Sequence, residues 1–272
     1  MGFIKSIKTY GTFTKNAFQR NMAYKANSVI FFIGDLLLIA VTYYLWKAIY
    51  SSSVESIING FSYNDMINYV LVSFLTTVII NADITSMMYR EVKDGSIAMN
   101  LMRPVSYQKR MFFESLGNVL YMFCVIFIFG FIAIMIYRTK SVGMISIRDL
   151  FFYILSIFLG FCINFFYSYT FGLFSFKITN MWGLSQIMQA IVQLVSGALI
   201  PIVFFPAWSQ KIFDFLPFKS MIYTPSMIYL GKMSLTEILT SVGMQVFWIL
   251  VLALCAKLVW NKMIKNLTIL GG

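Results

Sequence analysis

Few residues in this chain have types and spacings that can do chemistry. Two carboxylates, Asp35 and Asp83, lie inside long apolar runs. Ionised side chains at such positions are costly in lipid, so they face protein, a partner charge or a watery path, or they reach back to the nearby interface. Gln186, Gln189, Gln193 and Ser196 follow one another at helical spacing in a third run. That puts four polar side chains on one helix face, where they line a translocation path or form a hydrogen-bonded seam between helices. Ser156, Gly160, Asn164, Ser168 and Gly172 recur at every fourth residue, a small-residue stripe that lets another helix approach closely. The last candidate is the charged segment 90–104, which carries Lys93 and Arg103 beside the apolar Ile97, Leu101 and Met102. Gly95 suits the end of one helix, Ser96 can cap the next, and Pro104 pushes Arg103 out of the helical region. A helix of about 10 Å is expected between them.

Enzymatic chemistry finds little support. The chain has no His, so neither a Ser–His nor a Cys–His pair can form. Cys124, Cys162 and Cys255 each sit in an apolar run without metal-ligand spacing, as small buried hydrophobes do. The ten acids are scattered, and no Gly-x4-Gly-Lys-Ser/Thr motif is present. No cofactor or metal is expected, and if ATP drives this protein, a partner hydrolyses it.

The elements that position these residues are membrane helices. Apolar residues make up 60% of the chain and charged ones only 11%, against ~25% charged in soluble domains. Six runs, near 28–50, 64–88, 112–136, 150–175, 184–205 and 238–260, read as spanning helices, giving an all-α membrane protein with a single transmembrane domain. Ahead of them, residues 1–25 place Lys5, Lys8, Lys15 and Arg20 opposite Ile7, Tyr10, Ala17 and Phe18, the pattern of an amphipathic helix lying in the membrane interface. Residues 206–236 are too apolar for a free loop and too rich in proline for a span, so short pieces re-entering the outer interface are expected. With the N-terminus inside, fourteen basic residues fall inside and seven outside, which favours cytoplasmic termini. The bases sit between apolar runs, so topology accounts for the charge of +11 and nucleic-acid binding is not expected.

Several short motifs, taken in order, resemble the membrane subunit of ABC-2 type transporters, in the branch of small bacterial permeases with no fused ATPase. They are Gly60-Phe61-Ser62, Asp94-Gly95-Ser96-Ile97-Ala98 through Leu101 to Arg103-Pro104-Val105, Phe205-Pro206-Ala207-Trp208 and Leu216-Pro217-Phe218. The resemblance implies a permease of the bacterial inner membrane that pairs with a second permease copy, the same or related. It implies a separate ATPase subunit on each half, seated on the segment 90–104. Ile97, Leu101, Met102, Arg103 and Lys93 would make that contact, and the first, second and fifth spans would line a path for a drug, peptide or lipid-like substrate. A secondary transporter, or an immunity or assembly protein of the membrane, is the alternative. The former calls for spans broken at mid-depth, and the sequence shows proline breaks only at the outer edge.

Overall fold

The computed structural model describes residues 3–23, 25–81, 83–178 and 180–266, and these are almost entirely helical. Helix α1 covers Phe3–Ala23 and α2 covers Lys25–Ser52. A two-stranded hairpin, β1 Ile57–Ile58 and β2 Phe61–Ser62, leads into α3 Tyr63–Ile80 and α4 Ile84–Lys93. Helix α5 is Ser96–Met102. Helices α6 Tyr107–Met122 and α7 Ile128–Ser141 are joined by a π turn at Phe123–Phe127 into one continuous rod. Then come α8 Ile147–Gly172, α9 Trp182–Val195, α10 Ala207–Asp214, α11 Tyr223–Leu230 and α12 Leu235–Met263.

Among the described residues five helical stretches are long and apolar enough to cross a membrane: Ile33–Ser52, Tyr63–Lys93, Tyr107–Ser141, Ile147–Phe176 and Leu235–Met263. The run expected at 184–205 differs. Its helix stops at Val195 after 14 residues, which is ~21 Å at 1.5 Å per residue and short of a ~30 Å hydrocarbon core. Gly197 follows at φ 80°, a left-handed conformation that ends a helix, and Pro201 blocks a restart. The run expected at 64–88 is also not one rod. Helix α3 ends at Ile80, Asn81 leaves the helical conformation at ψ 88°, and Asp83 caps a new helix. This break lies inside the second span and involves no proline, so a reading of proline breaks alone does not register it.

Sequence explains most helix starts. Ser62 and Asp65 form a reciprocal capping box at α3, and Ser234 and Glu237 form another at α12. Ser146 caps α8 through the Asp149 amide. The hairpin turns on Asn59 (φ 48°) and Gly60 (φ 80°), the left-handed pair of a two-residue type I′ loop.

The core sits around α3, α8 and α11, where Tyr69, Tyr153, Phe161, Phe165 and Tyr229 are fully buried. The small-residue stripe of α8 lies on this seam. A side chain at Gly160 would meet the Met221 carbonyl at 2.8 Å, and one at Gly172 would meet the Met88 sulfur at 2.7 Å. Asn164 donates to the Ile80 carbonyl at 2.7 Å and so satisfies a group freed by the break below α3. Gln245 of α12 donates to Ser156 Oγ at 2.8 Å.

The segment 206–236 divides in two. Helix α10 exposes Trp208 and Ile212, as an amphipathic surface piece does. Helix α11 instead enters the core: Tyr223, Ile228, Tyr229 and Leu230 are buried. Pro225 is tolerated there because the first turn of a helix has no bond to lose at that amide. Helix α1 is amphipathic as expected and keeps Lys8, Lys15 and Arg20 exposed, but it packs lengthwise along α6. The two backbones meet at Gly117, where an added Cβ would lie 2.3 Å from the Thr14 carbonyl oxygen. The side chains of Lys5 and Ile7 lie outside the described residues.

Candidate functional site

Two regions hold the residues singled out by the sequence. One is the turn and short helix at 90–104, at the end of the bundle where α4, α5, α6 and α1 meet. Helix α4 buries Ile84, Met88 and Val92, one residue per turn, against α8. Gly95 then reverses the chain at φ 73°. Gly95, not Ser96, occupies the cap position of α5, and the preceding Asp94 accepts from the Ser96 amide through Oδ1 at 2.9 Å. The side chain and backbone of Ser96 together hold the Asp94 carboxyl below the usual carboxylate range. Arg103 is extended ahead of Pro104, and α5 has seven residues.

Helix α5 has an inner and an outer face. Ile97 is 0% exposed and anchors the helix in the chain's own core, and Leu101 packs beside it, half-buried. Ile97, expected among the ATPase contacts, is thus not on the outer surface of α5: it is the apolar residue that fixes α5 in place. Met102 is 77% exposed, and Met99, Arg103 and Lys93 are exposed with it. Two bulky thioethers and two cations thus form the outer surface of this end.

Behind α5 lies an ion cluster not anticipated from the sequence. The Arg110 side chain, only 5% exposed, donates to both carboxylate oxygens of Glu91 at 2.6 and 2.8 Å and to Glu114 at 3.0 Å. The Tyr107 hydroxyl also donates to Glu91, at 2.8 Å, and Arg20 donates to Glu114 at 2.9 Å. The cluster joins α4, α6 and α1. Tyr10 adds a further tie, its hydroxyl accepting from the Ser106 amide at 2.9 Å where α6 begins. The i, i+4 spacing of Arg110 and Glu114 was the one signal in the sequence; Glu91 and Arg20 are brought in only by the fold.

The second region is a set of adjoining cavities at the break in span two. A cavity of about 360 Å³ is lined by Asp35 of α2, Asn81 and Asp83 at the break, Asn118 of α6, Asn21 of α1 and Gln193 of α9. Phe74, Met122, Ile126 and Leu199 supply apolar wall. A cavity of about 410 Å³ on the side of α5 shares Asp83, Asn21 and Asn118 and adds Arg20, Arg90, Glu91, Asp94 and Glu114. A narrow cleft of about 60 Å³ between α9 and α8 shares Asp83, Asn81 and Gln193 and includes Gln189.

The structure therefore brings Asp35, Asp83 and Gln193 to one cavity wall, with Gln189 next to it. Gln186 is exposed and lines none of these three cavities, and Ser196 is buried, its hydroxyl donating to the Gln193 carbonyl at 3.4 Å. The polar stripe thus splits. Asp83 accepts from the Ser86 amide at 3.3 Å, a carboxylate at the positive end of α4. Arg90 shares a cavity with it, whereas the Lys25 side chain lies outside the described residues. Asn81, Asn21 and Asn118 were missed; Asn21 donates to Asn118 at 2.8 Å, a pairing invisible in sequence because it spans α1 and α6.

Over residues 36–271 the chain matches a family model described as ABC-2 family transporter protein. No curated protein matches it.

Proposed function

The chain belongs to the ABC-2 transporter family, and from that premise we propose that it is the permease half of an exporter driven by a separate ATPase subunit. It is a multi-pass membrane protein and a transporter subunit rather than an enzyme. In the proposed assembly a second permease copy completes the path through the bilayer, and an ATPase seats on α5 from the cytoplasm. Both termini are cytoplasmic in this reading, in a bacterial inner membrane. The substrate is amphipathic or apolar.

The observation that carries the proposal is the outer surface of α5. Met99 and Met102 stand exposed between Lys93 and Arg103, on a short helix pinned from behind by Ile97. Burying one Met side chain in a partner is worth roughly 1.5–3 kcal/mol. Methionine adapts its shape to a groove that moves, and the two cations suit acids on a groove rim. Substrate would pass along Asp35, Asp83, Gln189 and Gln193, the residues that line the adjoining cavities; Gln186 would extend that polar face along α9, and Ser196 would support it from the buried end of the helix.

The test places a photo-crosslinking amino acid at position 102 in the native host. The expected product joins this chain to a protein with a Walker ATP-binding motif. A crosslink pattern with no ATPase, or one unchanged when the crosslinker is moved to the far end of the bundle at position 55, would overturn the docking assignment.

A further inference from the structure

Half of the chain's acids converge on one place. Of the ten Asp and Glu residues in a protein of net charge +11, Asp35, Asp83, Glu91, Asp94 and Glu114 line the two large adjoining cavities. The basic residues are distributed oppositely. Arg20 and Arg90 line the cavity beside α5, where Glu91 and Glu114 are already matched by Arg110 and Arg20. Among the described residues no Lys or Arg lines the 360 Å³ cavity, which holds Asp35 and Asp83. Among the described residues nothing donates to Asp35, and Asp83 receives only the Ser86 amide. Two carboxylates that make no ion pair among the described residues, in a wall that is about half apolar, are expensive at membrane depth.

We infer that this cavity is a binding site for amphiphiles with one cationic head, such as a protonated amine, a quaternary ammonium or a phosphonium. The inference rests on the permease reading in so far as the ligand is cargo, and it adds the charge that the cargo must carry. The volume lies in the range of small-molecule sites, ~300–1,000 Å³. The cavity is two-sided in the way such a ligand requires. Asp35, Asp83 and the amides of Asn81 and Asn118 take the head, while Phe74, Met122 and Ile126 take the body. The break in span two has a specific part. It brings Asn81 and Asp83 to the wall in place of an uninterrupted helix turn, the device by which discontinuous membrane helices build ion and substrate sites. The cavity beside α5, lined by four carboxylates and two guanidiniums, gives a cation a favourable approach from that end and disfavours an anion.

The experiment uses the purified full-length chain in lipid nanodiscs and two probes of nearly the same shape and opposite charge, tetraphenylphosphonium and tetraphenylborate. Equilibrium dialysis is expected to give saturable phosphonium binding, with borate weaker by about ten-fold or more. Asp35→Asn and Asp83→Asn are each expected to weaken phosphonium binding several-fold and to leave borate binding no weaker than in the unaltered protein; Asn at position 83 still caps α4. Glu55→Gln, on the exposed loop far from the cavity, is expected to change nothing. Equal binding of both probes, no saturable phosphonium binding, or wild-type phosphonium affinity in both Asp variants would overturn the inference. The probe comparison on unaltered protein needs no variant, so it decides the matter even where a substitution perturbs folding. Because no ATPase is present, this result is independent of the crosslink at position 102, and either reading can fail alone.

Discussion

At the scale of single residues, Arg110 does more than any other charge in the protein. It crosses from α6 to Glu91 on α4 and to Glu114, and Glu114 passes the contact to Arg20 on α1. Nη2 reaches both oxygens of Glu91 while Nη1 reaches Glu114, and holding two carboxylates at once from fixed positions suits the two-armed guanidinium. Removing one member of a buried ion cluster leaves the others uncompensated, which costs about 3–5 kcal/mol. Arg110→Leu is therefore expected to lower the thermal unfolding temperature of the purified protein clearly, and Arg110→Lys to lower it by less. Adding Glu91→Gln to Arg110→Leu should restore part of the loss, since it removes the stranded charge. An Arg110→Leu protein that melts with the wild type would show that the cluster contributes nothing. In sequence terms Arg110 counted only as one positive-inside charge, because the pairing with Glu91 depends on how α4 turns back at Gly95.

At the scale of elements, long helices were legible and their interruptions were not. The runs at 28–50, 112–136, 150–175 and 238–260 appear as helices because twenty or more apolar residues leave the backbone no other way to satisfy itself in lipid. The seven-residue helix after Gly95 was equally legible, since glycine and proline act locally. The break at Asn81–Asp83 was hidden because hydropathy does not register it; it is held open from another helix by Asn164. The short α9 and the burial of α11 were hidden for a similar reason, as each depends on what packs alongside. In the candidate site, Asp35, Asp83 and the outward residues of α5 could be named from the chain, whereas Asn21, Asn81 and Asn118 could not. The close approach of α1 to α6 is a matter of packing too, and it can be broken at one position. Gly117→Leu would drive a side chain into the Thr14 carbonyl and the Ala17 methyl, the latter 2.8 Å from the new Cβ. The expected result is that trypsin cleaves at Lys15 and Arg20 far faster than in wild type, while fragments covering α8 to α12 stay resistant. Unchanged cleavage would mean that α1 is not held by this contact.

At the scale of the whole molecule, the two ends are built differently. The hairpin end is tied by Lys232, which pairs with Asp65 at 2.9 Å, donates to the Gly60 carbonyl at 2.7 Å and sits over the Phe61 ring. The other end carries the ion cluster and the exposed face of α5. The proposed orientation puts the hairpin outside and α5 inside. In a background with Cys124, Cys162 and Cys255 replaced by Ala, a cysteine at position 55 should react with a membrane-impermeant maleimide in intact cells, and one at position 102 should react only after lysis. The reverse pattern would invert the topology and with it the site of ATPase docking. The break at Asn81–Asp83 also decides how a push on α5 can travel. An uninterrupted helix acts as a stiff strut and would carry a displacement straight to the hairpin. Here the strut is cut, and its lower piece is braced sideways, by Met88 and Thr85 against Gly172 and Ser168 of α8 and by Glu91 against Arg110 of α6. In the proposed assembly, load entering at α5 is therefore shunted into α6 and α8, and it reaches α3 only sideways, through packing that includes Asn164 on Ile80 and Tyr153 on Thr76.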